Sequence, residues 1–352
     1  MRSVCFYGLG GGLGHTTRIL ALGQALEQLQ PTLQIDYILP ARSLQLPLLQ
    51  NKSVHVPPLE VEDEPRTLAS WLDKLWLQLQ PELLIVDVFP RGILAEFMDC
   101  RRFPQQAVLL TRLCRQGYYE NQQMLPALKR YREIYWTENF PPPPILQGAR
   151  EVGPVTLFNR QSLLKPEIAR QQLGLGRPHE VGLLVLRAGP AEEQRQLVAA
   201  VRSLRPLDAI PASPSEWELK SLPQVPSERL RVAWADHEQP DKMPLFPYYL
   251  GADLIVSAAG YHSLYELLQL QIPTIFWPQR RLYDDQLMRL QLLEVGLQPK
   301  RWIVQSDHEF HKAFEEFEKL RSTISFRRGS READYQGAQR LAKAILQKNT
   351  NS

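Results

Sequence analysis

Cysteine is scarce: Cys5, Cys100 and Cys114 are the only three in 352 residues. Three widely spaced cysteines fit neither a disulfide framework nor a zinc-ligand pattern, and they suit a reducing cytosol. Long apolar runs are missing as well, and nothing approaches the roughly 18 consecutive apolar residues of a membrane span. Residues 1–7 run straight into glycines with no apolar signal region, so a cytoplasmic protein is expected. Charge of one sign is also in short supply. The formal net charge is +3, and the densest basic cluster, Arg327, Arg328 and Arg331, is short. That excludes a nucleic-acid footprint and leaves room only for a peripheral contact with the inner face of a membrane.

Apolar residues make up 44% of the chain and charged residues 22%, the balance of a globular protein, and 352 residues suit two cores rather than one. Strand and helix patterns alternate. Residues 4–8, 34–39, 83–88 and 107–111 read as strands. Ile19, Leu22, Leu26 and Leu29 mark a helix over 16–30, and Leu68, Trp71, Leu72, Leu75 and Leu79 mark another. Residues 137–160, with four prolines at 141–144, read as a linker. The alternation then restarts, with strands at 181–187, 254–257 and 274–277. Helices follow at 191–204, 263–270, 284–295 (stopped by Gly296), 309–321 and 331–348. The expected class is α/β: two Rossmann-like domains, 1–150 and 151–330, facing across a cleft, with a C-terminal helix in 331–352.

Two segments carry chemistry. Residues 8–15 read Gly-Leu-Gly-Gly-Gly-Leu-Gly-His, between a strand and a helix. A backbone without Cβ atoms lets a ligand approach its N–H groups, and a helix N-terminus attracts an anion. The three glycine offsets of a dinucleotide fingerprint fail, because Leu13 or His15 falls on the third position, and no Gly-Lys-Ser/Thr follows as in a P-loop. Two readings stand: a tight turn with His15 as a helix cap, or His15 as a general base. Asp87 ends a strand and is the second catalytic candidate, with a strand-end cap as its alternative.

The other segment, residues 252–266, runs Ala-Asp-Leu-Ile-Val-Ser-Ala-Ala-Gly-Tyr-His-Ser-Leu-Tyr-Glu. Small residues before a helix start would admit a phosphate, and Glu266, placed on the first turn, would accept hydrogen bonds from sugar hydroxyls. Ser263 and Glu266 equally have the spacing of a capping box. Asp284, Asp285 and Gln286 open the next helix, either as caps or as sugar-recognition groups.

Taken in order, these segments resemble the GT-B glycosyltransferases, particularly the MurG branch. The match rests on the glycine loop ending at His15, on Gly153-Pro154-Val155, and on residues 252–266 followed by Pro273 and Asp284-Asp285-Gln286. The loop at 186–190 lacks the double glycine of many relatives. The resemblance implies a UDP-sugar donor. Gly260, Tyr261, His262 and Ser263 would lie at its diphosphate, Glu266 at its ribose, and Asp285 and Gln286 at its sugar. Gly12 and Gly14 would approach from the other domain. It also implies an unknown small-molecule or lipid-linked acceptor, inversion at the anomeric carbon, no cofactor and no metal. The final helix would pack back on the N-terminal domain. The alternatives are a nucleotide-sugar hydrolase and a non-catalytic sugar-nucleotide-binding protein.

Overall fold

The computed structural model describes the chain apart from residues 11, 178–179, 187–190, 205–229, 236–242, 298–299, 324–335 and 350–352. Gly11, the loop at 187–190, most of the stretch from Val201 to Arg231 and the Arg327–Arg328–Arg331 cluster therefore lie outside the described residues. The chain divides into two compact units, Met1–Leu157 with Asp334–Ser352, and Phe158–Ala333. No described helix is long and apolar enough to cross a membrane.

The first unit contains strands β1 (Ser3–Tyr7), β2 (Gln34–Ile38), β3 (Ser53–His55), β4 (Leu83–Asp87), β5 (Ala107–Thr111), β6 (Glu133–Trp136) and β7 (Arg150–Glu151). Its helices are α1 (Leu13–Leu29), α2 (Leu59–Glu62), α3 (Pro65–Leu79), α4 (Gln116–Tyr119) and α5 (Met124–Leu128). The sheet is parallel, in the order β3-β2-β1-β4-β5-β6-β7. β4, Leu-Leu-Ile-Val-Asp, is buried along its whole length, as a central parallel strand covered on both faces must be. α3 starts at Pro65 with the Glu64 side chain accepting from Thr67 N, buries Leu68, Leu72, Leu75 and Trp76, and ends at Gln80 in the left-handed conformation.

The second unit contains β8 (Val181–Leu186), β9 (Leu230–Ala235), β10 (Leu254–Ser257), β11 (Thr274–Phe276) and β12 (Arg301–Ile303). Its helices are α6 (Pro166–Gln172), α7 (Ala191–Ser203), α8 (Tyr261–Leu268), α9 (Gln286–Leu292) and α10 (Asp307–Thr323). This sheet is also parallel, in the order β12-β11-β10-β8-β9. Two buried arginines stitch it together. Arg170 donates to the carbonyls of Gly176, Arg177, Glu180 and Gly251 and to Asp253. Arg301 donates to the carbonyls of Leu267, Leu270 and Ile272 and to Thr274 Oγ1, closing the C-terminal end of α8.

The last helix, α11 (Gly337–Asn349), belongs to the first unit and packs on α1. Gly153 (φ +73°) and Gly337 make the close approach possible. A Cβ on Gly153 would stand 2.8 Å from Arg340 Nη2, and one on Gly337 would strike the Gly153 and Pro154 carbonyls. Arg340 Nε donates to Val152 O at 2.9 Å and Lys348 pairs with Glu133 at 2.7 Å.

Several boundaries differ from the sequence reading. The proline-rich stretch read as a linker carries β7, the edge of the first sheet. α9 stops at Leu292, with Glu294 rather than Gly296 taking the left-handed position after it (φ +51°). α1 and α8 begin three and two residues earlier than expected, at Leu13 and Tyr261.

Candidate functional site

In each sheet the strand order reverses direction once, between β1 and β4 in the first and between β8 and β10 in the second. Ligands of parallel α/β sheets bind beyond the C-terminal strand ends at such a switch point. His15 follows β1 and Asp87 ends β4, while Gly260 to Glu266 follow β10. Both candidate segments therefore stand where the topology opens.

In the first unit, His15 is the third residue of α1. The N-cap is Gly12, with no side-chain cap, so His15 is not the helix cap. Its Nδ1 lies 2.8 Å from Asp87 Oδ2, and Arg18 Nε donates to Asp87 Oδ1 at 2.9 Å. Asp87 is fully buried and is no mere strand-end cap. Burial pushes its carboxyl up, but the Arg18 guanidinium, the His15 hydrogen bond and the Arg112 charge outweigh this and hold it below the usual carboxylate range. An ionised carboxylate can only accept, so His15 donates through Nδ1–H and its Nε2 carries the lone pair. Burial also lowers the His15 pKa; the Asp87 bond opposes the shift, and Arg18 and Arg112 add to it. The imidazole is thus neutral at pH 7 and able to take a proton at Nε2.

The glycines before it have different reasons. A Cβ on Gly8 would lie 2.5 Å from Ile19 Cδ1, and one on Gly10 would overlap the His15 ring, so these two permit packing. A Cβ on Gly12 would meet nothing within 4 Å. Gly14 lies inside α1, its carbonyl accepting from Thr17 Oγ1. Phe89 packs on the imidazole with ring centroids 5.2 Å apart, and Thr16 Oγ1 bonds Ser43 Oγ at 2.7 Å, anchoring the start of α1.

In the second unit, α8 also starts from a bare glycine: Gly260 is its N-cap, with no side-chain cap and no acidic residue in the first turn. The capping-box reading is thereby corrected. Ser263 lies inside the helix and donates to Gly260 O at 3.1 Å, and Ser257 Oγ donates to Ser263 Oγ at 3.3 Å. Glu266 is the sixth helical residue, on the second turn rather than the first. It is buried, and among the described residues its hydrogen-bond partner is the Tyr249 hydroxyl, at 3.2 Å. Burial pushes its carboxyl up to about 8, with the Tyr249 bond pulling partly back. Tyr261 is buried against Tyr265 (5.0 Å between centroids) and lies over the Arg289 guanidinium (5.7 Å); His262 packs edge-on to it.

Asp285 is the N-cap of α9, accepting from Met288 N at 3.1 Å, and Asp284 pairs with buried Arg289 at 2.6 Å. Gln286 is buried and accepts from Gln279 N at 2.7 Å, closing the loop before the helix. The cap reading thus describes Asp285, while Gln286 shapes the loop. Among the described residues no group of three or more His, Cys, Asp or Glu side chains could hold a metal ion.

No family model and no curated protein matches the chain. Solved structures do. MurG of Acinetobacter baumannii matches with a TM-score of 0.55 at 13% identity, over 99% of this chain and all (100%) of that one. UDP-GlcNAc 2-epimerase of Methanocaldococcus jannaschii, solved with UDP-GlcNAc and UDP, matches with a TM-score of 0.58 at 14% identity, over 99% and 100%. The spinosyn forosaminyltransferase SpnP matches with a TM-score of 0.59 at 13% identity, over the full length of both chains. Two parallel α/β units and these likenesses define a GT-B fold, the fold that the sequence resemblance implies. At such identities the likeness extends to architecture alone.

Proposed function

We propose that the protein is a glycosyltransferase that moves a sugar from a UDP-sugar to an acceptor hydroxyl, with inversion and without a metal. The observation that carries this reading is the His15–Asp87 pair at the switch point of the first sheet. His15 Nε2 takes the proton of the acceptor hydroxyl. The oxygen attacks the anomeric carbon, the bond from that carbon to the diphosphate oxygen breaks, and the nucleoside diphosphate leaves with the electron pair. The Asp87 carboxylate stabilises the imidazolium that forms. On the donor side, the N-terminus of α8, which starts from Gly260 without a side-chain cap, suits the diphosphate, since the helix dipole favours negative charge there. Glu266 has an oxygen for the ribose hydroxyls besides the one bonded to Tyr249. The neighbours' UDP and UDP-GlcNAc support UDP as the nucleotide.

A UDP-sugar panel with UDP-release and thermal-shift readouts tests this reading. A donor at 100 times its dissociation constant adds roughly 2.7 kcal/mol of stability. His15→Ala is expected to keep UDP binding and lose on the order of 10² to 10⁴ in turnover. No shift with any UDP-sugar, or undiminished turnover in His15→Ala, refutes it. The same base would serve water equally well. UDP released from donor alone, at a rate that acceptors do not raise, would instead identify a nucleotide-sugar hydrolase.

A further inference from the structure

Behind the dyad, on the reverse face of the first sheet, stands a second buried pair that the proposed chemistry does not use. Side chains alternate along β1 and β4, and Tyr7 is in register with Val86. The position after Tyr7, Gly8, faces α1, as its contact with Ile19 shows. Asp87, one beyond Val86, shares that α1 face. Tyr7 points the other way, towards α3, and its hydroxyl donates to Glu96 Oε1. Both side chains belong to fully buried residues.

Glu96 is built in with care. Its Oε2 accepts from Leu94 N at 2.8 Å. Gly92, at φ +85°, has no room for a Cβ, which would overlap the Glu96 carboxyl. Gly92 N bonds Phe89 O and Phe97 N bonds Arg91 O, both at 2.9 Å, so the loop leaving β4 is folded around this carboxyl. The neighbouring Phe97 ring packs on Tyr7, and Trp76 and Phe103 pack on Phe97. A carboxyl in such surroundings is costly to bury, and among the described residues it has no cationic partner. The loop it organises begins at Phe89, the ring that packs on His15.

We infer that Tyr7 and Glu96 are positioning residues for the dyad: their bond ties the end of β1 to the loop leaving β4, and so keeps the His15 imidazole and the Asp87 carboxylate within bonding distance on the opposite face. This bracing needs no substrate, and its consequence for turnover rests on the function proposed above.

The test follows the His15 Nδ1–H proton by NMR in the full chain, because a proton shared with a carboxylate exchanges slowly while the pair holds. Tyr7→Phe removes one hydroxyl and is expected to speed its exchange with water about tenfold, the weight of one hydrogen bond. Glu96→Gln keeps an acceptor for the Tyr7 hydroxyl and is expected to stay within about threefold of the parent. Leu72→Ala, in the α3 core, is the control for general destabilisation and is expected to leave the exchange unchanged. Exchange in Tyr7→Phe equal to the parent, or raised equally by Leu72→Ala, overturns the inference. UDP binding measured on the same samples separates the brace from the proposed activity. Loss of the slow proton in Tyr7→Phe, in a protein that binds no UDP, would sink the proposed function and leave the brace standing.

Discussion

Glu266 makes a quantitative prediction about stability. Its carboxyl is taken from the ordinary value of 4.5 to about 8, chiefly by burial. Between those two values the folded second unit holds a proton that the unfolded chain has released. Stability from this group is therefore full below about 4.5 and is lost as pH rises through the folded value. The total loss is about 5 kcal/mol, at roughly 1.36 kcal/mol for each pH unit between the two values. Between pH 5.5 and 7.5 the slope is nearly complete, which gives a loss of about 2–3 kcal/mol. Glu266→Gln keeps an oxygen for the Tyr249 hydroxyl and carries no titrating group. Hydrogen exchange of the β8 and β10 amides reports the opening of this unit, and taking parent and variant at the same pH cancels the intrinsic pH dependence of exchange. The parent's stability relative to Glu266→Gln should fall by about 2–3 kcal/mol over that range. A difference that stays flat would mean that the carboxyl is solvated or paired, and the burial argument would fail.

Asp87→Asn leaves the Arg18 guanidinium buried without its carboxylate, and should cost the first unit about 3–5 kcal/mol in denaturant unfolding; less than about 1 kcal/mol would mean that Arg18 is held elsewhere. Because the folded Asp87 pKa is depressed, the parent's advantage over Asp87→Asn exists above the ordinary carboxylate value and disappears as pH falls through the folded one. Gly10→Ala must displace the imidazole, whereas Gly12→Ala meets open space. Gly10→Ala should therefore abolish the slow His15 Nδ1–H signal, and Gly12→Ala should preserve it at a stability cost under about 1 kcal/mol; the opposite order would refute the packing argument. Arg301→Ala removes donors from three carbonyls and a hydroxyl, of which Leu267 O keeps Leu270 N and Ile272 O keeps the Thr274 hydroxyl, and should lower the stability of the second unit by about 1–3 kcal/mol in a urea titration.

What is legible in the sequence follows from where the information resides. β4 and β5 are apolar runs whose own composition demands burial, and the sequence pattern bounds them to within one residue. Helix starts are harder. α1 and α8 both begin from an uncapped glycine, which leaves no polar mark, and the Ser263–Glu266 spacing imitates a cap inside α8. β3 and β7, three and two residues long, owe their existence to a neighbour's edge rather than to their own periodicity. Candidate residues stand out by their glycine and strand-end settings, but their partners do not. Arg18 meets Asp87 across 69 residues, Tyr7 meets Glu96 across 89, and Tyr249 meets Glu266 across 17. One signal is present for Arg18: it stands three residues after His15, beside Ile19 and among the buried positions of α1, where a charge demands a partner.

The triangle of His15, Asp87 and Arg18 also bears on how a buried imidazole would serve as the proposed base at neutral pH. Burial alone makes the imidazole a weak base, and an ionised Asp87 restores part of its proton affinity. Without Arg18, burial would drive Asp87 towards its neutral form, and a protonated carboxyl could no longer fix the Nδ1–H tautomer. The guanidinium thus has two opposed effects. It lowers the proton affinity of His15 directly, and it preserves the carboxylate that raises it. The direct effect is the smaller at His15, since the hydrogen bond and charge of Asp87 outweigh the repulsion from Arg18, and a neutral Asp87, able to donate as well as accept, would leave the tautomer unfixed. Holding the carboxylate ionised is therefore the arginine's principal contribution, and an imidazole with a defined lone pair at Nε2, as the proposed base requires, is the result.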